Sequence, residues 1–174
     1  MSAHIKMGKR IGYFVFLSAI LFIQGCGIKY GFTGGSIPEG MKTYTVEFFE
    51  NTAPIVYPTL SQSFTEALKE RIRSQSSLSQ VTNDGDAIFE GRITGYSITP
   101  AAVEAGTDRA ALTRLSITVN VKYTNNIKPD DNFEQPFTRF KDFSGAISAQ
   151  EESLIRDINQ MLTEDIYNRA FANW

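Results

Sequence analysis

The sequence predicts an α+β fold: a four-stranded, mostly antiparallel sheet with two helices packed on one face, in the order β-α-β-β-β-α. Three observations carry this reading. Leu115, Ile117, Val119, Val121 and Tyr123 alternate with Arg114, Ser116, Thr118, Asn120 and Lys122, the period of a strand with one buried and one wet face. Two other segments repeat apolar residues at helical spacing. Three strand-like runs follow one another between polar or turn-forming segments, as in a meander.

Thr43 to Phe49 reads as the first strand, with Tyr44, Val46 and Phe48 on one face and Thr43, Thr45 and Glu47 on the other. Asn51 to Pro58 is a loop containing Pro54 and Pro58. A helix follows, in which Thr59 and Gln62 have capping-box spacing. Its apolar stripe is Leu60, Phe64, Ala67, Leu68 and Ile72, and Glu66, Lys69, Glu70, Arg71 and Arg73 form its wet face. Asn83-Asp84-Gly85-Asp86 is a turn signal.

Ala87 to Thr99 is a strand with two interior glycines, Gly91 and Gly95, which mark a bulge or a close backbone approach. After the connection Pro100 to Ala111 comes the alternating strand, Leu112 to Thr124, and then a polar loop, Asn125 to Asn132. Phe133 to Phe143 is the last strand. Pro136 within it implies an edge strand or a bulge, and the uneven spacing of Phe137, Phe140 and Phe143 also implies a bulge. The final helix runs from Ala149 to Ala172, with Ser148 and Glu151 at capping-box spacing. Leu154, Ile155, Ile158, Met161, Leu162, Ile166, Ala170 and Phe171 make its apolar stripe. Two helices cover only one face of such a sheet, so the other meets solvent or a partner.

The N-terminus carries a different signal. Lys6, Lys9 and Arg10 precede an almost wholly apolar run from Ile11 to Ile23, the plan of a secretory signal peptide. The run is shorter than the roughly 20 residues of a membrane span. Ile23-Gln24-Gly25-Cys26 ends it and resembles the lipobox of bacterial lipoproteins, with Gln24 where a small residue is more usual. Cys26 is the only cysteine, so it forms no internal disulfide. The resemblance implies removal of residues 1–25 and a lipid thioether on Cys26. Residues 26–41 then form a lipidated N-terminus and tether, and 42–174 a single domain.

Removing three of the 17 basic residues leaves 14 against 19 acidic ones, a net charge of −5 for the processed chain. This mild acidity offers no field for nucleic acid. The single histidine, His4, leaves with the signal, and with it go Ser-His-Asp and Cys-His nucleophile systems and ordinary zinc sites. No cofactor is expected beyond the covalent lipid. Asp130-Asp131 and Glu151-Glu152 are acidic pairs. A glycan hydrolase would need such carboxylates to converge in a cleft, but a solvated turn and helix-start charge is the simpler reading. Gly31, Gly34 and Gly35 lack the GK[ST] of a phosphate loop and read as tether. The expectation is a binding protein, not an enzyme.

Several stretches resemble the LPS-assembly lipoprotein family, LptE. They are Cys26-Gly27-Ile28-Lys29-Tyr30-Gly31-Phe32 through Gly35-Ser36, Pro58-Thr59-Leu60 with Thr65-Glu66-Ala67-Leu68, Glu90-Gly91-Arg92-Ile93-Thr94-Gly95-Tyr96, Leu115 to Tyr123, and Ala172-Asn173-Trp174. The resemblance rests on the sum and order of these stretches and spans the processed chain. It implies a periplasm-facing outer-membrane lipoprotein that plugs and helps assemble the LptD β-barrel and binds lipopolysaccharide. Gly27 is not acidic, and Ile28, Lys29 and Tyr30 bring no acidic cluster. The expected location is therefore the inner leaflet of the outer membrane. The alternative is a lipoprotein subunit of another envelope lipid-transport or secretion complex.

A lipopolysaccharide site needs Lys or Arg near apolar side chains. Candidates by position are Arg109, Arg114, Lys128, Arg139 and Lys141. A barrel lumen is polar, and the Ser, Thr, Asn and Lys of the alternating strand suit one.

Overall fold

The computed structural model describes residues 37–101 and 112–172. Six strands form one sheet: β1 (Thr43–Val46), β2 (Glu50–Asn51), β3 (Ser79–Gln80), β4 (Ala87–Pro100), β5 (Thr113–Asn125) and β6 (Phe133–Phe143). Two helices, α1 (Leu60–Gln75) and α2 (Glu151–Phe171), pack against it. The strand order is β3-β1-β4-β5-β6, with β2 also paired to β4. β4, β5 and β6 form the antiparallel meander, and β1, β2 and β3 join by parallel pairing. The α+β class and the long strands agree with the sequence reading.

Among the described residues the strand count is six, not four. The first expected strand breaks after Val46, because Phe48 is exposed while Phe49 turns into the core. There its ring meets Phe64 edge-on at 5.1 Å between centroids. The Phe49 N–H donates to Thr65 Oγ1 (3.1 Å), and that hydroxyl donates to the Ser61 carbonyl (2.8 Å). The chain then rejoins the sheet as β2, beside Arg92 and Ile93. β3 adds two residues to the free edge of β1.

A second difference lies in the bulge. β6 pairs with β5 without interruption from Tyr123↔Phe133 to Thr113↔Phe143, Pro136 included. Pro136 therefore marks an edge strand only. Phe140 breaks the apparent spacing because it points to the opposite face from Phe137 and Phe143. The bulge sits in β4, between Ile93 and Gly95, where the register with β5 shifts. Gly91 is a close approach: a Cβ there would stand 2.1 Å from the Asn120 carbonyl oxygen and 2.8 Å from the Phe49 ring.

The capping boxes do not form. Thr59 precedes α1 without a side-chain cap bond, and α2 starts after Gln150. Ser148 lies in a short 3-10 turn, Ile147–Ala149. Glu151 instead accepts the Tyr96 hydroxyl at 2.5 Å, tying the start of α2 to β4. Burial and this carboxylate both push the Tyr96 phenol far above its ordinary range.

The core lies between helices and sheet. Leu115, Ile117, Val119, Val121 and Tyr123 of β5 are fully buried with Phe89 and Ile93 of β4. Leu60, Phe64, Leu68 and Ile72 face them from α1, and Ile158, Leu162, Ile166 and Phe171 from α2. Asp86 secures the start of the sheet. One carboxylate oxygen accepts the backbone N–H groups of Lys42 (2.8 Å) and Thr43 (2.9 Å) and the Thr43 hydroxyl (2.9 Å).

Candidate functional site: the open sheet face

Both helices lie on one face of the sheet, so alternation along β4, β5 and β6 leaves the other face uncovered among the described residues. Cross-strand pairing organises it into rows. Glu90, Lys122 and Glu134 form one; Arg92, Asn120 and Pro136 the next; then Gly95, Thr118 and Thr138; Ser97, Ser116 and Phe140; and Thr99, Arg114 and Asp142. Three acidic and three basic side chains balance across these rows.

Bonds within and between neighbouring rows tie many of these side chains together. Lys122 pairs with Glu90, Asn120 Nδ2 donates to Glu134 at 3.3 Å, and the Thr118 and Thr138 hydroxyls lie 2.9 Å apart. Arg114 grips Asp142 through two bonds, Nε at 2.7 Å and Nη2 at 2.9 Å. Its guanidinium carbon also sits 3.6 Å from the centroid of the Phe140 ring. These bonds raise the Arg114 and Lys122 pKa values and hold the Asp142 carboxyl below its usual range. Phe140 is 46% exposed, so the one large aromatic ring in these rows faces outward beneath a cation.

The four basic candidates among the described residues do not gather at one point. Arg109 and the lipidation candidate Cys26 lie outside the described residues. Arg114 is on the open face. Lys128 follows the far end of β5, thirteen residues long and thus roughly 40 Å at about 3.3 Å per residue. There it pairs with Asp131 at 2.9 Å. Arg139 and Lys141 lie on the helix side, paired with Asp165 (2.5 Å) and Asp157 (3.1 Å) of α2. Hydrogen bonds to these partners raise the Lys128 and Arg139 pKa values. Arg92, Glu90, Glu134 and Asp142 were missed as members of the face. Their assignment needs the register between strands, which the alternation within β5 does not supply.

Among the described residues no helix is long and apolar enough to cross a membrane, and no His, Cys, Asp and Glu cluster suits a metal. The family profile for LptE, lipopolysaccharide-assembly, matches residues 41–170. The chain belongs to the LptE family. This membership assigns it a role in lipopolysaccharide assembly. No curated protein matches the chain by sequence comparison.

Several solved structures are similar to the chain. A hypothetical protein from Chlamydia trachomatis is similar at TM-score 0.54 and 12% identity, covering 74% of this chain and 95% of its own. A protein from Xanthomonas campestris is similar at TM-score 0.50 and 11% identity, covering 78% and 90%. A minor lipoprotein from Acinetobacter baumannii is similar at TM-score 0.49 and 16% identity, covering 74% and 91%. At these identities the likeness concerns the fold alone.

Proposed function

We propose that this LptE-family chain is an outer-membrane lipoprotein, anchored through Cys26 in the periplasmic leaflet. In this reading it serves as plug and assembly partner of an LptD-type β-barrel and binds lipopolysaccharide without catalysis. The observation that carries the reading is the open face of β4, β5 and β6. It is a broad, charge-balanced array of hydroxyl, amide and paired ionic groups. A barrel lumen is likewise polar. Docking the two surfaces would exchange water for hydrogen bonds between polar groups, and most of the charges involved arrive already paired.

Lipopolysaccharide combines anionic groups with acyl chains. Arg114 beside the exposed Phe140 offers a cation and an apolar ring together. Engaging phosphate would require it to exchange or share its bond to Asp142. Lys128, and Arg109 from outside the described residues, remain separate candidate contacts. Arg139 and Lys141 would first have to leave Asp165 and Asp157.

The test is a detergent pull-down of the tagged full chain, with mass spectrometry of both the chain and its companions. The reading expects an LptD-type barrel in the eluate and a chain starting at lipid-modified Cys26. Cys26→Ser should incorporate no labelled palmitate. An eluate holding a different envelope complex would favour the alternative subunit role.

A further inference from the structure

Arg92 stands apart from the other two cations of the open face. Lys122 is bonded to Glu90, and Arg114 to Asp142. Arg92 is exposed, and among the described residues its side chain makes neither an ion pair nor a hydrogen bond.

Its place in the sheet makes this unusual. The register sets it between Glu50 of β2 and Asn120 of β5, so it lies inside the sheet and not at its rim. Asn120 directs its Nδ2 to Glu134 at 3.3 Å. Glu50 stands in register with Arg92, yet the two form no ion pair. The two central rows of β4, β5 and β6, Arg92-Asn120-Pro136 and Gly95-Thr118-Thr138, otherwise carry side chains no longer than asparagine. Arg92 is therefore the one long side chain at the middle of the face.

A surface docked here would cover Arg92 from every side. A guanidinium keeps its charge at any working pH, and enclosing it without a counter-charge is strongly unfavourable. Lys122 and Arg114 bring their own carboxylates, whereas Arg92 needs one from the occupant. Its planar fork of N–H donors fits a carboxylate through two parallel bonds. The surroundings set the charge that suits it. Glu50 shares its row, Glu90 and Glu134 occupy the adjoining one, and the cation of that row, Lys122, is already engaged. One negative charge is balanced there, and a doubly charged phosphate is not.

We propose that Arg92 is the specificity contact of the open face, pairing with one aspartate or glutamate on the inner wall of the partner barrel. The contact presupposes the docking proposed above and supplies the chemistry that selects the partner.

Tagged wild type, Arg92→Met and Glu50→Gln, each shown to be folded by circular dichroism, would be purified from outer membranes in detergent with the co-expressed barrel. Release of the barrel from the immobilised chain is then followed over time. Arg92→Met keeps most of the side chain's bulk and strands the barrel's carboxylate. It should release the barrel about thirtyfold faster or more, as expected when one partner of a buried charge pair is removed. Glu50→Gln should release it at the wild-type rate. Arg92→Lys should retain the barrel, and a carbodiimide should join the new amine to a barrel Asp or Glu, a cross-link absent from wild type and mapped by mass spectrometry. Release from Arg92→Met at the wild-type rate, an equal effect of Glu50→Gln, absence of that cross-link, or an Arg92→Met chain that keeps the barrel but sheds lipopolysaccharide would each overturn the assignment and leave the docking intact. A wild type that retains no barrel would overturn both.

Discussion

Arg114 covers Phe140 while gripping Asp142, so one cross-strand neighbourhood on the open face holds a cation, an aromatic ring and a carboxylate. Nothing in the core depends on Phe140, which is 46% exposed. Phe140→Ala should therefore alter unfolding free energy by no more than about 0.5 kcal/mol. It should still weaken retention of the barrel, because exposed aromatics near the centre of an interface often dominate its energy. Urea denaturation beside quantitative pull-down separates the two effects. Equal barrel recovery would remove Phe140 from the interface.

Gly91 has the opposite character. A methyl group there collides with the Asn120 backbone and the buried Phe49 ring. Gly91→Ala should destabilise by about 1–3 kcal/mol, as expected for overpacking. At Gly95 the new methyl would press on the Thr118 side chain at 3.1 Å, with the nearest backbone atom at an ordinary 3.8 Å. Gly95→Ala should accordingly cost less, and thermal melts of the two variants give the order.

Phe171 anchors the end of α2 among Phe89, Tyr123 and Tyr167, with ring centroids 5.9, 6.0 and 5.1 Å away. Phe171→Ala should cost about 3–5 kcal/mol, the usual range for a buried aromatic. Urea denaturation measures it. A loss under about 1 kcal/mol would show that α2 is not held through this ring.

Asp86 gives the fold an acid limb. Backbone bonds from Lys42, then the hydroxyl and N–H of Thr43, hold its pKa below the ordinary value. A carboxylate whose folded pKa is depressed adds stability above its unfolded pKa, near 3.9. That contribution fades as pH falls from there through the lower folded value. Asp142 acts with the same sign through Arg114. Asp86→Asn should therefore flatten the loss of stability below about pH 4 without abolishing it. Denaturation midpoints across that interval check this, and an unchanged slope would contradict it.

The sequence made the long elements legible and the short ones not. β5 shows five inward apolar residues in strict alternation, and α1 and α2 repeat theirs over several turns, so burial is written many times over. β2 and β3 have two residues each, too few for any period. The apparent alternation Tyr44, Val46, Phe48 was misleading, because the chain turns to bury Phe49 against Phe64. Glu151 looked like half of a capping box, but Tyr96 of a distant strand takes its carboxylate. The wet face of β5 was equally visible. What lies beside it was not, because pairing Arg114 with Asp142, or sending Arg139 and Lys141 towards α2, depends on which residue of β6 stands opposite which of β5.

The most direct test of the account places a bulky charge at the centre of the open face. Thr118 lies there, between Gly95 and Thr138. Wild type and Thr118→Arg, both tagged and both shown to be folded by circular dichroism, would be purified from outer membranes in parallel. The account predicts that an LptD-type barrel accompanies wild type and is largely lost from the variant. A barrel recovered equally with both, or with neither, would contradict it.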